Sequence, residues 1–293
     1  MLITAGIWGF GFIAQRVGAM VLEPFTFNAC RFGLGSISLI PLLLYFNRRS
    51  GNKIPDTATK KLVVFSGVIA GTIIFLAAWL QQAGLSDTSA GKAAFLTGLY
   101  IVIVPIFGIF LNHKIKVSTW IAVAFAITGL YLLSVTESFT IAKGDLYEIA
   151  GAVLWAVHIL VIDYFTKKVD ALKLSFVQFL TSAVLSLIVA LLFESNTLSQ
   201  LQQGIIPILY GGIGSVGIAY TLQVFAQKHA KPSHAAIILS TETVFASLGG
   251  IVILNEQLGT RGYIGCAMML AGMLLSQAPS FAKNDTSKNI SIE

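Results

Sequence analysis

Apolar runs of about 20 residues follow one another along almost the whole chain, each long enough to cross roughly 30 Å of hydrocarbon as a helix. A soluble domain carries about 25% charged residues. This chain has 11% charged and 56% hydrophobic residues, with a mean hydropathy of +0.82, too little charge to coat a water-facing surface. A membrane β-barrel would show ten-residue segments of alternating polarity, and these runs do not alternate. The expectation is an all-α integral membrane protein. Ten spans are expected, at Leu2–Val21, Phe25–Phe46, Leu62–Ala83, Ala93–Leu111, Val117–Val135, Leu146–Phe165, Leu174–Phe193, Gly204–Ala226, Ala235–Leu254 and Gly262–Ala278. The polar stretch 279–293 reads as a disordered tail.

The net charge of +6 does not point to nucleic acid, because the basic residues fall between apolar runs. Lysine and arginine collect on the cytoplasmic side of a membrane. Alternate gaps hold Arg48, Arg49, Lys53, Lys60 and Lys61, then Lys114 and Lys116, then Lys167, Lys168 and Lys173, then Lys228 and Lys231, with Lys283 and Lys288 in the tail. The opposite gaps hold Lys92, Lys143 and Arg261. This bias places both termini in the cytoplasm of a multi-pass protein of the cytoplasmic (inner) membrane. The first run lacks a basic lead-in and is interrupted by Gln15 and Arg16, so it does not read as a cleaved signal. Cys30 and Cys266 lie inside apolar runs and suggest neither a disulfide nor a metal site.

The chain is also duplicated. The stretch Ala90–Leu111 recurs as Ser233–Ile253, with Ala93 and Ala94 on Ala235 and Ala236, Val102 on Val244 and Gly108 on Gly250. The same register puts Gln81 on Gln223 and Tyr100 on Glu242. Earlier, Trp8 falls on Trp155, and Arg31-Phe32 on Gln178-Phe179. With five spans in each half, the second half enters the membrane upside down relative to the first. Inverted repeats are the architecture of many secondary transporters, in which the halves exchange conformations around a site near the midplane.

The segments IWGFGFIAQ, Arg31-Phe32, TSAGKAAFLTGLYIVIVP (88–105) and TETVFASLGGIVILNEQL (241–258) resemble the EamA family of the drug/metabolite transporter superfamily. The resemblance covers nearly the whole chain, as one repeat over 1–136 and a second over 144–278. It implies a ten-helix, cofactor-free carrier of small organic solutes, amino acids among them, with a central cavity. The chain departs from the pattern at Glu242-Thr243, where the second repeat often carries Glu-Pro and a helix break.

Ionisable groups inside a membrane cost about 3 kcal/mol on insertion scales and commonly face a cavity or a partner. Glu242 is the most central carboxylate. It reads as an amine contact, a proton-coupling group or a structural acid bonded to neighbouring helices, and Tyr100 matches it in depth. Arg31 offers a planar fork for a solute carboxylate, or a tie between helices. Arg16, nearer its span end, could snorkel. His158 is a second proton-coupling candidate, since histidine exchanges protons near neutrality; a satisfied packing histidine is the alternative. Asp163 and Glu148 read as interfacial. Gln81 and Gln223 could line a pore, and Trp8, Trp79 and Trp155 could stack on a solute. Gly211, Gly212, Gly214 and Gly217 allow close helix packing or a gate, and Pro105 a kink.

Together these features lead to a secondary transporter, in the export direction, that moves a small-molecule solute by alternating access. Its partners are the solute, the bilayer and, as an open possibility, a second copy in a homodimer. A nucleotide-sugar or lipid carrier would use the same frame. An intramembrane enzyme is the remote alternative, resting on Ser215 with His229 or His234, and no metalloprotease or paired-aspartate motif supports it.

Overall fold

A computed structural model describes residues 1–49, 57–88, 90–113, 115–134, 142–254 and 259–277. The expected tail, the Asn255–Leu258 end of the family-like block, and Lys53 and Lys114 lie outside them. Among the described residues there are only helices and their connections. They are α1 (Leu2–Ala19), α2 (Pro24–Arg49), α3 (Thr57–Asp87), α4 (Ala90–Gly98), α5 (Tyr100–Phe110), α6 (Val117–Ser134), α7 (Lys143–Phe165), α8 (Ala171–Phe193), α9 (Leu198–Gln203) and α10 (Ile205–Leu209). A π-helical stretch, Tyr210–Tyr220, then leads into α11 (Thr221–Gln227), α12 (Pro232–Leu239), α13 (Glu242–Leu254) and α14 (Thr260–Gln277).

Seven stretches are long and apolar enough to cross a membrane: Pro24–Arg49, Thr57–Asp87, Ala90–Phe110, Lys143–Phe165, Ala171–Phe193, Ile205–Gln227 and Pro232–Ile253. They correspond to seven of the ten expected spans. Of the other three, Val117–Leu132 and Thr260–Leu275 are apolar helices of shorter length, each running up to residues outside the description. The last, α1, is helical over 18 residues, but Gln15 and Arg16 dilute its apolar character. Side chains such as Phe110, Leu191, Phe193 and Val252 are largely exposed. That is the pattern of a surface facing lipid, where every backbone group must be satisfied inside its own helix.

The packing follows the duplication. α2 lies along α8 and α6 along α14, so these corresponding helices pair with each other. Where α3 packs on α7 and α8, the π stretch packs on α1 and α2; where α1 packs on α13, α7 packs on α4 and α5. Close crossings are made by glycines. A Cβ on Gly129 of α6 would stand 2.5 Å from the Gly265 carbonyl oxygen, and one on Gly272 of α14 would stand 2.8 Å from that of Ala122.

Two expected spans are broken at the same register position. Leu99 separates α4 from α5, and Ser240-Thr241 separates α12 from α13. No proline is needed for the second break. The hydroxyls of Ser240 and Thr241 donate back to the carbonyls of Ile237 (2.9 Å) and Ile238 (2.6 Å), competing with the helical ladder. The hydroxyl of Thr243 crosses to the Ala94 carbonyl of α4 at 3.1 Å. The first break stands six residues before Pro105, which sits inside α5. The glycine run forms the π-helical stretch, a register that appears mainly as local bulges at functional sites. Its glycines also permit close approach: a Cβ on Gly217 would meet Ser38 Oγ at 2.4 Å.

Candidate functional site: a chamber between the two halves

The break before Glu242 sets that carboxylate at the first position of α13, where it is 4% exposed. Tyr100, first residue of α5, donates its hydroxyl to Glu242 Oε1 at 2.9 Å. These residues correspond to one another in the two halves, so the bond joins equivalent points of a duplicated scaffold. A second such pair, Phe32 and Phe179, is in contact with ring centroids 6.4 Å apart. Corresponding residues that touch mark the axis relating the halves.

Around this axis lies a chamber of about 40 Å³, room for about three or four waters on the scale where one needs about 10–15 Å³. Its walls are built in matched pairs: Trp8 with Trp155, Phe12 with Ile159, Gln81 with Gln223, Thr97 with Leu239, and Tyr100 with Glu242. The remaining wall residues are Gln15, Arg31, His158, Ser215 and Tyr220. Of the nine residues singled out from sequence as solute or proton contacts, eight, Glu242, Tyr100, Arg31, Trp8, Trp155, Gln81, Gln223 and His158, face one space, and Trp79 does not. Sequence reading passed over Gln15, Phe12, Thr97, Ile159, Tyr220 and Leu239. The Thr97/Leu239 pair lies inside the aligned repeat and Phe12/Ile159 stands one helical turn from Trp8/Trp155 in the same register, so both were present in the alignment. For Tyr220 there was no comparable signal, since its counterpart is Ala78.

Tyr220 is the centre of the aromatic lining. Its ring lies 4.5 Å from that of Trp8, 6.0 Å from Trp155 and 5.8 Å from Phe179, centroid to centroid. Trp8 is fixed further by its Nε1–H, which donates to the Ser215 carbonyl at 3.4 Å. Trp79 is not part of the chamber; it stacks on Phe25 at 5.6 Å near Tyr147.

Arg31 is 1% exposed. Its Nε donates to Asn28 Oδ1 and its Nη1 to Gln15 Oε1, each at 2.8 Å, while Nη2 has no hydrogen-bond partner. The rings of Phe27 and Phe32 lie 5.5 and 4.9 Å from the guanidinium carbon, a favourable placement worth up to about 2 kcal/mol where water is excluded. No ion pair joins Arg31 to Glu242 among the described residues. The chamber therefore has a guanidinium contributed by the first half and a carboxylate by the second, neither neutralised by the other. His158 pairs through Nε2 with Gln178 Oε1 at 3.1 Å, and its Nδ1 is without a partner.

Glu148, read as interfacial, is wholly buried within the protein beside Gly84 and accepts a hydrogen bond from Thr97. Asp163, read likewise, is buried within the protein and bonds the exposed Lys167 at 2.9 Å. Arg16 does not snorkel to the surface; its Nη1 donates to the carbonyls of Leu85 and Ser86 near the end of α3, where a cation suits the helix dipole. Nor does the chamber that Ser215 lines include His229 or His234. His229 and His234 line a separate cavity of about 420 Å³ with Lys116, Lys167, Lys228 and Lys231.

An all-helical bundle with a lipid-compatible exterior and a chamber lined by aromatic and polar residues between duplicated halves has the build of a membrane transporter. The EamA-like transporter family model matches this chain twice, over residues 1–135 and 142–277, and the chain belongs to that family. An uncharacterized transporter of Archaeoglobus fulgidus is 28% identical over 94% of this chain and 83% of its own length. Two from Bacillus subtilis are similar: the uncharacterized transporter YwfM, 27% identical over 99% of this chain and 97% of its own, and YoaV, 21% identical over 92% of both. A protein of known crystal structure shares the fold with a TM-score of 0.75 at 20% identity, over 94% of this chain and 95% of the other.

Proposed function

We propose that this protein is a secondary transporter that exports small zwitterionic solutes, amino acids or related metabolites, by alternating access. It would comprise ten spans in two inverted halves of the cytoplasmic membrane, with both termini in the cytoplasm. The observation that carries the solute class is the pair of buried, mutually unpaired groups on the chamber wall. The free Nη2 of Arg31 suits a carboxylate, Glu242 suits an ammonium group, and Trp8, Trp155 and Tyr220 suit an apolar side chain between them. The matched walls favour a scaffold whose halves exchange shapes, and the 40 Å³ chamber corresponds to a closed state that must widen to admit a solute. A single buried guanidinium on the chamber wall is a poor match for the several phosphate charges of a nucleotide sugar. Proton coupling through Glu242, with His158 as a second candidate, belongs to the same reading.

The test is counterflow in proteoliposomes with labelled amino acids, polyamines, nucleosides and nucleotide sugars, with empty vesicles as control. Amino acids should accumulate, and Arg31→Gln should abolish that accumulation while leaving the protein folded. A folded wild-type protein that exchanges none of them would overturn this reading and bring lipid carriage forward. Normal transport by Glu242→Gln across the pH range would remove Glu242 from the coupling role.

A further inference from the structure

Behind the chamber wall, α7 carries a second carboxylate that none of the solute contacts requires. Glu148 is 0% exposed. The Thr97 hydroxyl donates to its Oε2 at 2.9 Å, and its Oε1 has no hydrogen-bond partner. Thr97 itself faces the chamber, and Gln81 Nε2 approaches its Oγ1 at 3.4 Å. One helical turn from Glu148, Asp145 accepts from the Thr88 hydroxyl at 2.9 Å and from Lys92 Nζ at 2.6 Å, and the Lys92 side chain reaches the surface at 21% exposure. Polar groups thus run from the chamber through Thr97 and Glu148 to the bundle end that carries Lys92.

The scaffold does not need this string for packing. In the other half, Thr97 corresponds to Leu239 and Glu148 to Met1, neither of which carries a hydroxyl or carboxylate side chain. Space for the carboxylate is made by Gly84 of α3, where a Cβ would stand 2.7 Å from Oε1. The charged groups that face Glu148 are Asp145 on its own helix and Glu242 on α13, both acidic; α3 ends at Asp87, and the Lys92 of α4 is engaged by Asp145. Among the described residues, no ion pair is formed with this carboxylate.

We propose that Glu148 is a second proton-binding site of the transporter, loaded from the chamber through Thr97 in one conformation and emptied by the same route in the other. This rests on the transporter reading above. A hydronium in the chamber gives a proton to Thr97 Oγ1 as the hydroxyl's original proton passes to Glu148 Oε2. One O–H bond forms on threonine as another breaks, the carboxylate gains an O–H bond and loses its charge, and a water remains in the chamber. Loss of that proton at the opposite side in the other conformation completes one proton moved per cycle.

Glu148→Gln keeps the shape and still accepts from Thr97 while removing the proton site. In proteoliposomes it should retain solute counterflow at equal pH to within about twofold. It should also lose the accumulation that a one-unit pH gradient drives, which for one proton per solute is up to about tenfold. A Glu148→Gln protein that accumulates solute as the wild type does overturns the inference. Wild-type counterflow with no accumulation under any pH gradient also overturns it, yet leaves the carrier reading intact; absent wild-type counterflow removes the carrier reading itself. Should the variant fail to fold, dicyclohexylcarbodiimide, which adds to protonated carboxyl groups in apolar surroundings, serves on the wild type. Mass spectrometry should find the adduct on Glu148, increasing as pH falls, and an unlabelled Glu148 overturns the assignment.

Discussion

Gly9 gives a test of the helix crossing on which the chamber depends. It lies in α1 next to Trp8 and faces the start of α13. A Cβ there would stand 2.4 Å from Phe245 Cβ, 2.5 Å from the Glu242 carbonyl oxygen and 2.8 Å from the Ala246 nitrogen. Carbon atoms prefer separations of about 3.5–4.0 Å, so the new methyl group is more than about 1 Å too close. All three obstacles are backbone atoms or a Cβ, and no rotamer change relieves them; α1 must back away from α13. Overpacking of this kind costs about 1–3 kcal/mol, and the rigidity of the obstacles puts Gly9→Ala at the upper end. Alanine regains about 1 kcal/mol of helix propensity, leaving a net loss of about 2 kcal/mol and a Tm lowered by roughly 4–8 °C. Gly33→Ala is the control, because a Cβ at Gly33 meets nothing within 4 Å; its propensity gain should hold or slightly raise Tm. Both are read by thermal unfolding in detergent at one scan rate, using the fluorescence of the four tryptophans. A Gly9→Ala protein that melts with Gly33→Ala would refute the packing of α1 on α13. The same shift displaces Trp8 and the Glu242 carbonyl, so counterflow should fall along with stability.

Tyr100→Phe removes the 2.9 Å bond to Glu242; a hydrogen bond to a charged group contributes about 1.5–3 kcal/mol, so the KM for counterflow should rise by at least about tenfold, and an unchanged KM would exclude the pair from solute binding. Glu194 caps α2 from the end of α8, accepting from the backbone nitrogens of Phe25 (2.8 Å) and Thr26 (2.6 Å) and from the Thr26 hydroxyl (2.7 Å). Loss of a cap costs about 1–2 kcal/mol, so Glu194→Ala should lower Tm by a few degrees with KM unchanged; a KM shift without a Tm change would refute the purely structural role.

The apolar runs and the duplication were legible in the sequence because both are one-dimensional patterns. The eight chamber residues were legible for the same reason, each being a polar or aromatic interruption in an apolar run. What escaped depends on neighbours. Depth counted from a helix end put Glu148 at the interface, yet α3 and α4 extend alongside that end and cover it. The break before Glu242 comes from hydroxyls bonding back to their own helix, where family likeness pointed to a proline. Hydropathy has no view of hydrogen-bond register, so the glycine run gave no sign of a π-helical stretch.

The duplication itself says which residues correspond, and only the fold says which of them meet. Phe32 touches Phe179 and Tyr100 bonds Glu242, so these pairs lie on the axis, whereas Gln81 and Gln223 line the same chamber and Gln81 bonds Thr97 instead. A scaffold with two equal halves makes its two end states equivalent in shape, and equivalence alone moves nothing in a preferred direction. Chemistry has to enter where the halves differ. Differences at or beside the chamber include Arg31 against Gln178, Glu242 against Tyr100, Thr97 against Leu239, and Glu148 against Met1. On this reading the first two pairs distinguish the ends of a zwitterion, and the last two give one half a proton site that its counterpart lacks. Restoring symmetry at the last pairs, by Thr97→Leu with Glu148→Met, should therefore uncouple proton movement while the matched walls still form.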